Sequence, residues 1–187
     1  MNVLTEKQRS IIVGSLLGDG AMRCKTNALL EANHWATQRE YVDWEYRILE
    51  NLVRTPPKMR NGNGGRQAYR FRTLSLHELT PFYRAFYDEG RKIIPDIELS
   101  PLTLATWFMD DGGKSHKSVY LNTQQFDSLS QTRLIQMLHH QWAITSTLNR
   151  DKHYCRIRLS VASVARLAHV IWPYVLPSLR YKFPEAK

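Results

Sequence analysis

Cysteine is scarce in this chain: Cys24 and Cys155 are the only two among 187 residues, and neither belongs to a CxxC pair. That excludes a disulfide-stapled secreted scaffold and a cysteine zinc finger. No unbroken apolar run approaches the roughly 18 residues of a membrane helix, so neither a transmembrane span nor a membrane partner is expected. The polar stretch Met1–Arg9 carries no signal-peptide core. With no targeting segment in view, the expected location is intracellular, in a bacterial cytoplasm or in an organelle that encodes the protein. Acid is also in short supply, with 17 Asp and Glu against 26 Lys and Arg, a formal charge of +9. The excess is shared between the halves: residues 1–95 hold 15 basic and 10 acidic side chains, and residues 96–187 hold 11 and 7. Between Asn51 and His77 the basic residues Arg54, Lys58, Arg60, Arg66, Arg70 and Arg72 occur without one acid. Such a balance favours a polyanion, most simply nucleic acid.

What the chain does have is a repeat. Ile12–Gly20 aligns with Leu104–Gly112 at an offset of 92, both segments ending in Asp-Gly. Thr37-Gln38 aligns with Thr123-Gln124, Arg47–Leu49 with Arg133–Ile135, and Tyr69–Arg72 with Cys155–Arg158, each at an offset of 86. Lys92 before Pro95 aligns with Lys182 before Pro184 at 90. Matches in one order at nearly one offset point to a duplicated unit of about ninety residues. The expected units are 1–97 and 98–187.

Each copy reads as α-β-β-α-β-β-α, so the fold class is α+β with two pseudo-symmetric halves, each built on an antiparallel sheet. The first helix of copy one starts at a Thr5-x-x-Gln8 capping box and turns Ile11, Ile12, Leu16 and Leu17 inward; its counterpart starts at Ser100-Pro101. The second strand of each pair is predicted over Asn33–Gln38 and Val119–Gln124. Helices are predicted over Arg39–Val53 and Leu129–Trp142, strands over Gln67–Leu74 and Tyr154–Ser160, and closing helices over Leu76–Arg91 and Val161–Leu176.

Strand side chains alternate faces. Tyr69-Arg70-Phe71-Arg72 and Cys155-Arg156-Ile157-Arg158 therefore put their arginines on one side and their apolar residues on the other. In the neighbouring strands, His34, Ala36 and Gln38 are predicted to share a face, as are Tyr120, Asn122 and Gln124. Arg, Gln and Asn are the side chains that read guanine and adenine edges in the major groove. A solvated polar face accounts for one such sheet; two in register on a basic chain favour DNA. The candidate DNA-contacting set is Gln38, Lys58, Arg60, Arg66, Arg70, Arg72, Lys114, Asn122, Gln124, Arg150, Lys152, Arg156 and Arg158. A ten-residue strand spans about 33 Å, so two sheets end to end cover about twenty base pairs.

Asp19 and Asp111 fall at the C-terminal ends of the two repeated helices, where a carboxylate opposes the helix macrodipole. A divalent cation offsets that repulsion and supplies the chemistry of phosphodiester hydrolysis. The backbone carbonyls of Gly18 and Asp110 are further candidate ligands, because the last carbonyls of a helix lack intrahelical partners. Small residues on both helices (Gly14, Ser15, Ala105, Thr106) would allow them to pack closely. His139, His140 and His169 have no spaced partner motif and are read as core or surface residues, and Trp35, Trp44, Trp142 and Trp172 as core.

Ile12–Gly20, and above all Leu104–Gly112 with Gly113-Lys114, resemble the LAGLIDADG homing endonucleases in their single-chain, two-motif form. Within that family Trp107–Lys114 is most similar to the intron-encoded branch typified by the yeast mitochondrial omega-intron enzyme. The similarity continues through Tyr120–Gln124 and Leu176-Pro177 to Tyr181–Pro184. Ser15 and Leu17 depart from the family word in the first motif, at positions other than its catalytic Asp. The resemblance implies that the two motif helices pack together between saddle-shaped DNA-binding sheets. It implies Mg²⁺ (or Mn²⁺) held by Asp19 and Asp111, catalytic lysines at Lys92 and Lys182, and a monomer that makes a staggered double-strand break in a long DNA site. It leaves open an alternative on the same fold, an RNA-binding maturase that recognises intron RNA.

Overall fold

Helix α1 (Glu6–Leu17) opens on its capping box: the Gln8 N–H donates to the Thr5 hydroxyl at 3.2 Å, and the Thr5 N–H donates to the Gln8 side chain at 3.1 Å. The structure, a computed structural model, describes residues 4–61, 65 and 67–185, so Arg66 lies outside the described residues. After α1 come strands β1 (Ala21–Cys24) and β2 (Ala28–Trp35), helix α2 (Arg39–Leu49), strands β3 (Lys58–Asn61) and β4 (Gln67–Arg72), and the short helix α3 (Thr80–Phe86). The four strands form one antiparallel sheet in the order β1-β2-β4-β3. Helices α1 and α2 pack together over one side of it, and Ile11, Ile12, Leu16 and Leu17 are fully buried as their spacing predicts.

The second unit repeats this plan. Helix α4 (Pro101–Asp111) starts with Ser100 as N-cap, accepting from the Thr103 N–H at 3.1 Å, and Pro at the first helical turn. Strands β7 (Gly112–Ser115) and β8 (Ser118–Leu121), helix α5 (Ser128–Trp142), strands β9 (Ser146–Asp151) and β10 (Tyr154–Leu159), and helix α6 (Val161–Ile171) follow. Their sheet runs β7-β8-β10-β9, antiparallel throughout, the same order as in the first unit. Contacts divide the chain into Met1–Arg84 and Ala85–Lys187, whereas the repeat boundary expected from the sequence falls at 97/98. Residues just before that boundary pack with the second unit: the Ile94 N–H donates to Ser130 Oγ at 3.2 Å, and its carbonyl accepts from Arg133.

Three expectations need correction. The third helix, predicted over Leu76–Arg91, is a single 3-10 turn followed by α3, and it stops at Phe86. A hairpin replaces its end, β5 (Tyr87–Asp88) with β6 (Arg91–Lys92), because Glu89 (φ 46°) and Gly90 (φ 77°) both take the left-handed conformation of a two-residue hairpin turn. The predicted strands Asn33–Gln38 and Val119–Gln124 end early, at Trp35 and Leu121. Ala36–Gln38 form a 3-10 turn feeding directly into α2, so Gln38 stands at the start of a helix, with no side-chain capping bond, instead of extending a sheet. Asn122 and Gln124 lie in the loop after β8, where the Phe126 N–H bonds to the Thr123 carbonyl at 3.0 Å. Finally, the His34 face is inverted: Ala28, Leu30, Ala32 and His34 are the buried side of β2, while Leu29, Glu31, Asn33 and Trp35 point away from the core.

Candidate active site and nucleic-acid interface

Both Asp-Gly pairs end a helix whose next turn leads straight into the first strand of a sheet. The Gly18 N–H closes α1 by donating to the carbonyls of Gly14 and Ser15, and the Gly20 N–H returns to Ser15 O at 2.8 Å. A Cβ on Gly20 would lie 2.6 Å from Ser15 O; one on Gly112 would lie 2.4 Å from Phe108 O. Glycine follows each aspartate because the chain doubles back against its own helix, at a distance no side chain tolerates. The consequence is positional: the Asp19 and Asp111 carboxylates are held at the rim of their sheets by a turn with no slack.

Their surroundings differ. Asp19 is exposed, and one of its carboxylate oxygens lies within 4.8 Å of a ring nitrogen of His34. His34 Nε2 faces Glu45 Oε2 at 3.9 Å, and Glu45 is 1% exposed. The other oxygen of Glu45 accepts from Ser15 Oγ at 2.5 Å and Tyr41 OH at 3.3 Å. Asp111 is half-buried, with Gln125 Nε2 3.5 Å from its Oδ2, and its carbonyl accepts from the Asn122 N–H at 3.1 Å. Oxygen donors at a helix C-terminus, in one case with an imidazole nitrogen beside them, suit a divalent cation.

The two candidate lysines are held differently. Lys182 is 7% exposed and donates through Nζ to the carbonyls of Met109 and, at 3.0 Å, Asp110. The Asp110 carbonyl expected to face a metal therefore already accepts an ammonium. A cation at the negative end of α4 is well placed for the macrodipole. Lys92 is half-exposed in β6, its ammonium 5.6 Å from the centre of the Phe126 ring.

The outer faces of the sheets are basic but not uniformly so. In the first unit the register aligns Lys58 with Arg70 and Asn33, Arg60 with Ala68 and Trp35, and Arg72 with Glu31. Glu31 pairs with Arg72, and with Arg70 at 3.8 Å. In the second unit Arg156 and Arg158 lie at 4.0 and 5.6 Å from the centre of the Tyr120 ring, and Tyr120 OH donates to Asn149 Oδ1 at 3.2 Å. Two of the candidates fall on the other side of this sheet: Lys114 pairs in register with buried Val119, and Arg150 with Cys155. Lys152 occupies the β9–β10 turn with φ 56°.

A sequence model described as the LAGLIDADG DNA endonuclease family matches residues 9–167. The chain belongs to this family. A Debaryomyces hansenii protein named "Cytochrome b mRNA maturase bI2" is 33% identical, covering 96% of this chain and 74% of its own length. "Probable intron-encoded endonuclease 1" of Wickerhamomyces canadensis is 27% identical over 96% of this chain and 84% of its own. Of some relatives the chain spans only about half, as with the Mycobacterium gastri "Protein RecA" at 48%. Among solved structures, the homing endonuclease I-WcaI bound to its DNA recognition sequence shares the fold at a TM-score of 0.91 and 22% identity, covering 100% of this chain and 90% of that one.

Within this LAGLIDADG chain, sequence reading missed Glu31, His34, Glu45 and the outward-facing Trp35. Trp35 is 50% exposed on the basic face, not in the core, and Trp172 is likewise exposed. The alternation of Ala28-Leu29-Leu30-Glu31-Ala32 holds the signal for Glu31, since Leu30 and Ala32 lie on its opposite face. Nothing in sequence spacing couples His34 to Glu45.

Proposed function

We propose that this chain is a site-specific endonuclease that cuts both strands of a DNA target of about twenty base pairs, with one active site in each half, 1–97 and 98–187. It acts as a monomer on DNA inside the cell or organelle that encodes it, and its cutting promotes the mobility of an intron. The observation that carries this reading is a repeated arrangement: an Asp-Gly at the end of a buried helix, entering a four-stranded antiparallel sheet with arginines on its outer face, in both units.

Asp19 and Asp111 would each hold one Mg²⁺ or Mn²⁺, with Gly18 supplying a main-chain oxygen, whereas the Asp110 carbonyl is taken by Lys182. An ion held there would supply charge neutralisation at the phosphate and a more acidic water nucleophile. Lys182, fixed by two carbonyls at the end of α4, stabilises negative charge on the phosphate being cut, and Lys92 has that task in the other half. Lys58, Arg60, Arg66, Arg70, Arg72, Arg156, Arg158 and Lys152 bind backbone phosphates or base edges. Gln38 reaches DNA from the turn before α2, and Asn122 and Gln124 from the loop after β8; Lys114 and Arg150, on the far side of their sheet, fall outside the contact set.

The test is cleavage of a tiled double-stranded DNA library with Mg²⁺ or EDTA, using wild type, Asp19→Asn and Asp111→Asn. Metal-dependent cutting at one long site, reduced about 100-fold or more in either variant while DNA affinity stays within about twofold, is the expected result. Metal-independent cutting, or unchanged cutting by both variants, overturns it.

A second reading, an RNA-binding maturase, is supported by the name of the D. hansenii relative. It predicts tight binding to structured intron RNA that survives both aspartate substitutions.

A further inference from the structure

Glutamate 45 is a carboxylate with almost no access to water, on a helix that packs against its own sheet. Such a group is costly unless donors surround it. Ser15 and Tyr41 supply hydroxyls to one oxygen, and the His34 ring faces the other; Tyr41 also packs edge-on against that ring at 5.1 Å. Glu45 and the Tyr41 ring thus flank the imidazole on two sides. His34 in turn is 5% exposed, and one of its nitrogens lies within 4.8 Å of the Asp19 carboxylate. Two donors on one six-coordinate ion, each about 2.1 Å from it, are separated by about 3.0 to 4.2 Å. A buried imidazole with one carboxylate 3.9 Å from its Nε2 and an exposed carboxylate within reach of a ring nitrogen has the makings of a metal ligand with a carboxylate behind it.

We propose that His34 is a nitrogen ligand of the ion at Asp19, oriented by Glu45, so that the metal sites of the two halves are chemically unequal. This rests on the endonuclease reading of Asp19. The repeat offers no equivalent in the second unit. The sheet register matches Glu31–Arg72 to Tyr120–Arg158, so Thr123, not a histidine, stands for His34, and at the offset of 86 residues Gln131 stands for Glu45. Gln131 is spent on neutral bonds, donating to the carbonyls of Thr123 and Cys155 at 2.8 Å. The site at Asp111 is thus an oxygen site, and the one at Asp19 a mixed nitrogen–oxygen site. Imidazole raises affinity for later first-row ions relative to Mg²⁺ and Ca²⁺, which prefer oxygen. The Asp19 site therefore favours Mn²⁺ over Ca²⁺ more strongly than the Asp111 site does.

The experiment is pulsed electron paramagnetic resonance on the full chain titrated with Mn²⁺, comparing wild type, His34→Gln, Asp19→Asn and Asp111→Asn. The expected result is imidazole-nitrogen modulation in wild type and Asp111→Asn, lost in His34→Gln together with about tenfold weaker Mn²⁺ binding. Ca²⁺ affinity should be unchanged in His34→Gln. If that variant does not fold, the wild-type protein labelled with ¹⁵N-histidine decides, since its modulation must change and must vanish in Asp19→Asn. Mn²⁺ bound in a manner that requires Asp19 but without nitrogen coupling overturns the His34 assignment and leaves the endonuclease reading standing. Mn²⁺ binding indifferent to both Asp19→Asn and Asp111→Asn overturns both.

Discussion

The Lys182 ammonium lies 3.0 Å from the main-chain oxygen of Asp110, one residue before the candidate metal ligand Asp111. It is only 7% exposed, and it also donates to Met109 O. One side chain therefore finishes the helix and places a positive charge next to Asp111. Lys182→Met should leave those carbonyls without their donor and lower stability by about 1–3 kcal/mol. Below its lowered melting temperature the variant should bind target DNA normally and nick instead of cutting both strands. Supercoiled-plasmid assays distinguish the two products, and unimpaired double-strand cutting by a folded Lys182→Met would leave the lysine a purely structural cap.

Glu31 restrains the basic face of the first unit. It pairs with Arg70 and Arg72, and its side chain is 12% exposed. Glu31→Gln should release both arginines toward phosphate. Non-specific DNA affinity should rise several-fold, and the slope of log K against log salt should steepen by about one or two phosphate contacts. Fluorescence anisotropy at several KCl concentrations measures both; weaker binding would mean that this face does not meet DNA.

The same logic gives Arg156 and Arg158 a sharper expectation. Both are braced against the Tyr120 ring, so they approach DNA with little orientational freedom to lose. Either change to Ala should weaken specific binding by about 1–3 kcal/mol if the contact is bidentate to a base, and relax discrimination at one base pair. Competition binding against single-substitution targets reads this directly.

Gly112 and Gly113 are neighbours with opposite tolerances. A Cβ at Gly112 meets Phe108 O and the Phe108 ring at 2.4 Å, whereas one at Gly113 meets nothing within 4 Å. Gly112→Ala should cost about 1–3 kcal/mol and displace the Asp111 turn, with cleavage falling alongside stability. Gly113→Ala should leave the melting temperature unchanged or slightly raised. Equal melting temperatures would contradict the close approach.

Asp127 caps α5, accepting from the Ser130 N–H at 2.7 Å, and this bond holds its carboxyl below the usual carboxylate range. A group with a lowered folded-state pKa stabilises above its unfolded value, about 3.9, and that contribution fades as pH falls through the folded value. Asp127→Ala should cost about 1 kcal/mol at pH 7 and progressively less below about pH 4. Asp127→Asn keeps an acceptor, so it should retain most of the cap at both pH values. Thermal melts at pH 7 and pH 3 compare all three proteins.

Much of this molecule was legible because the relevant physics is local or repeated. Thr5-x-x-Gln8 and Ser100-Pro101 are helix starts within four residues of chain, and both formed as read. The duplicated Asp-Gly, and the arginines alternating with apolar residues in Tyr69–Arg72 and Cys155–Arg158, put the same features on the same elements of both units. The errors arose where an element had to stop. Nothing local to Ala36–Gln38 marks the end of β2, because the chain turns there only to deliver α2 onto the sheet. A strand over Asn33–Gln38 groups His34 with polar Gln38; in the actual strand, Ala28–Trp35, the same alternation sets it with Ala28, Leu30 and Ala32 on the buried face. The hairpin at Glu89-Gly90 competed with a helical pattern and won through two left-handed residues.

The sequence by itself determined the repeat, the charge, the family and the two aspartates, all of which depend on residue identity and spacing along the chain. Only tertiary structure decided which carboxylates stand alone and which are met. Glu31 lies among arginines 39 and 41 residues away, Glu45 against a histidine 11 residues away, and Lys182 against carbonyls more than 70 residues away. Electrostatic and hydrogen-bond energies depend on separation in space and on exclusion of water, and neither is written in the order of the residues.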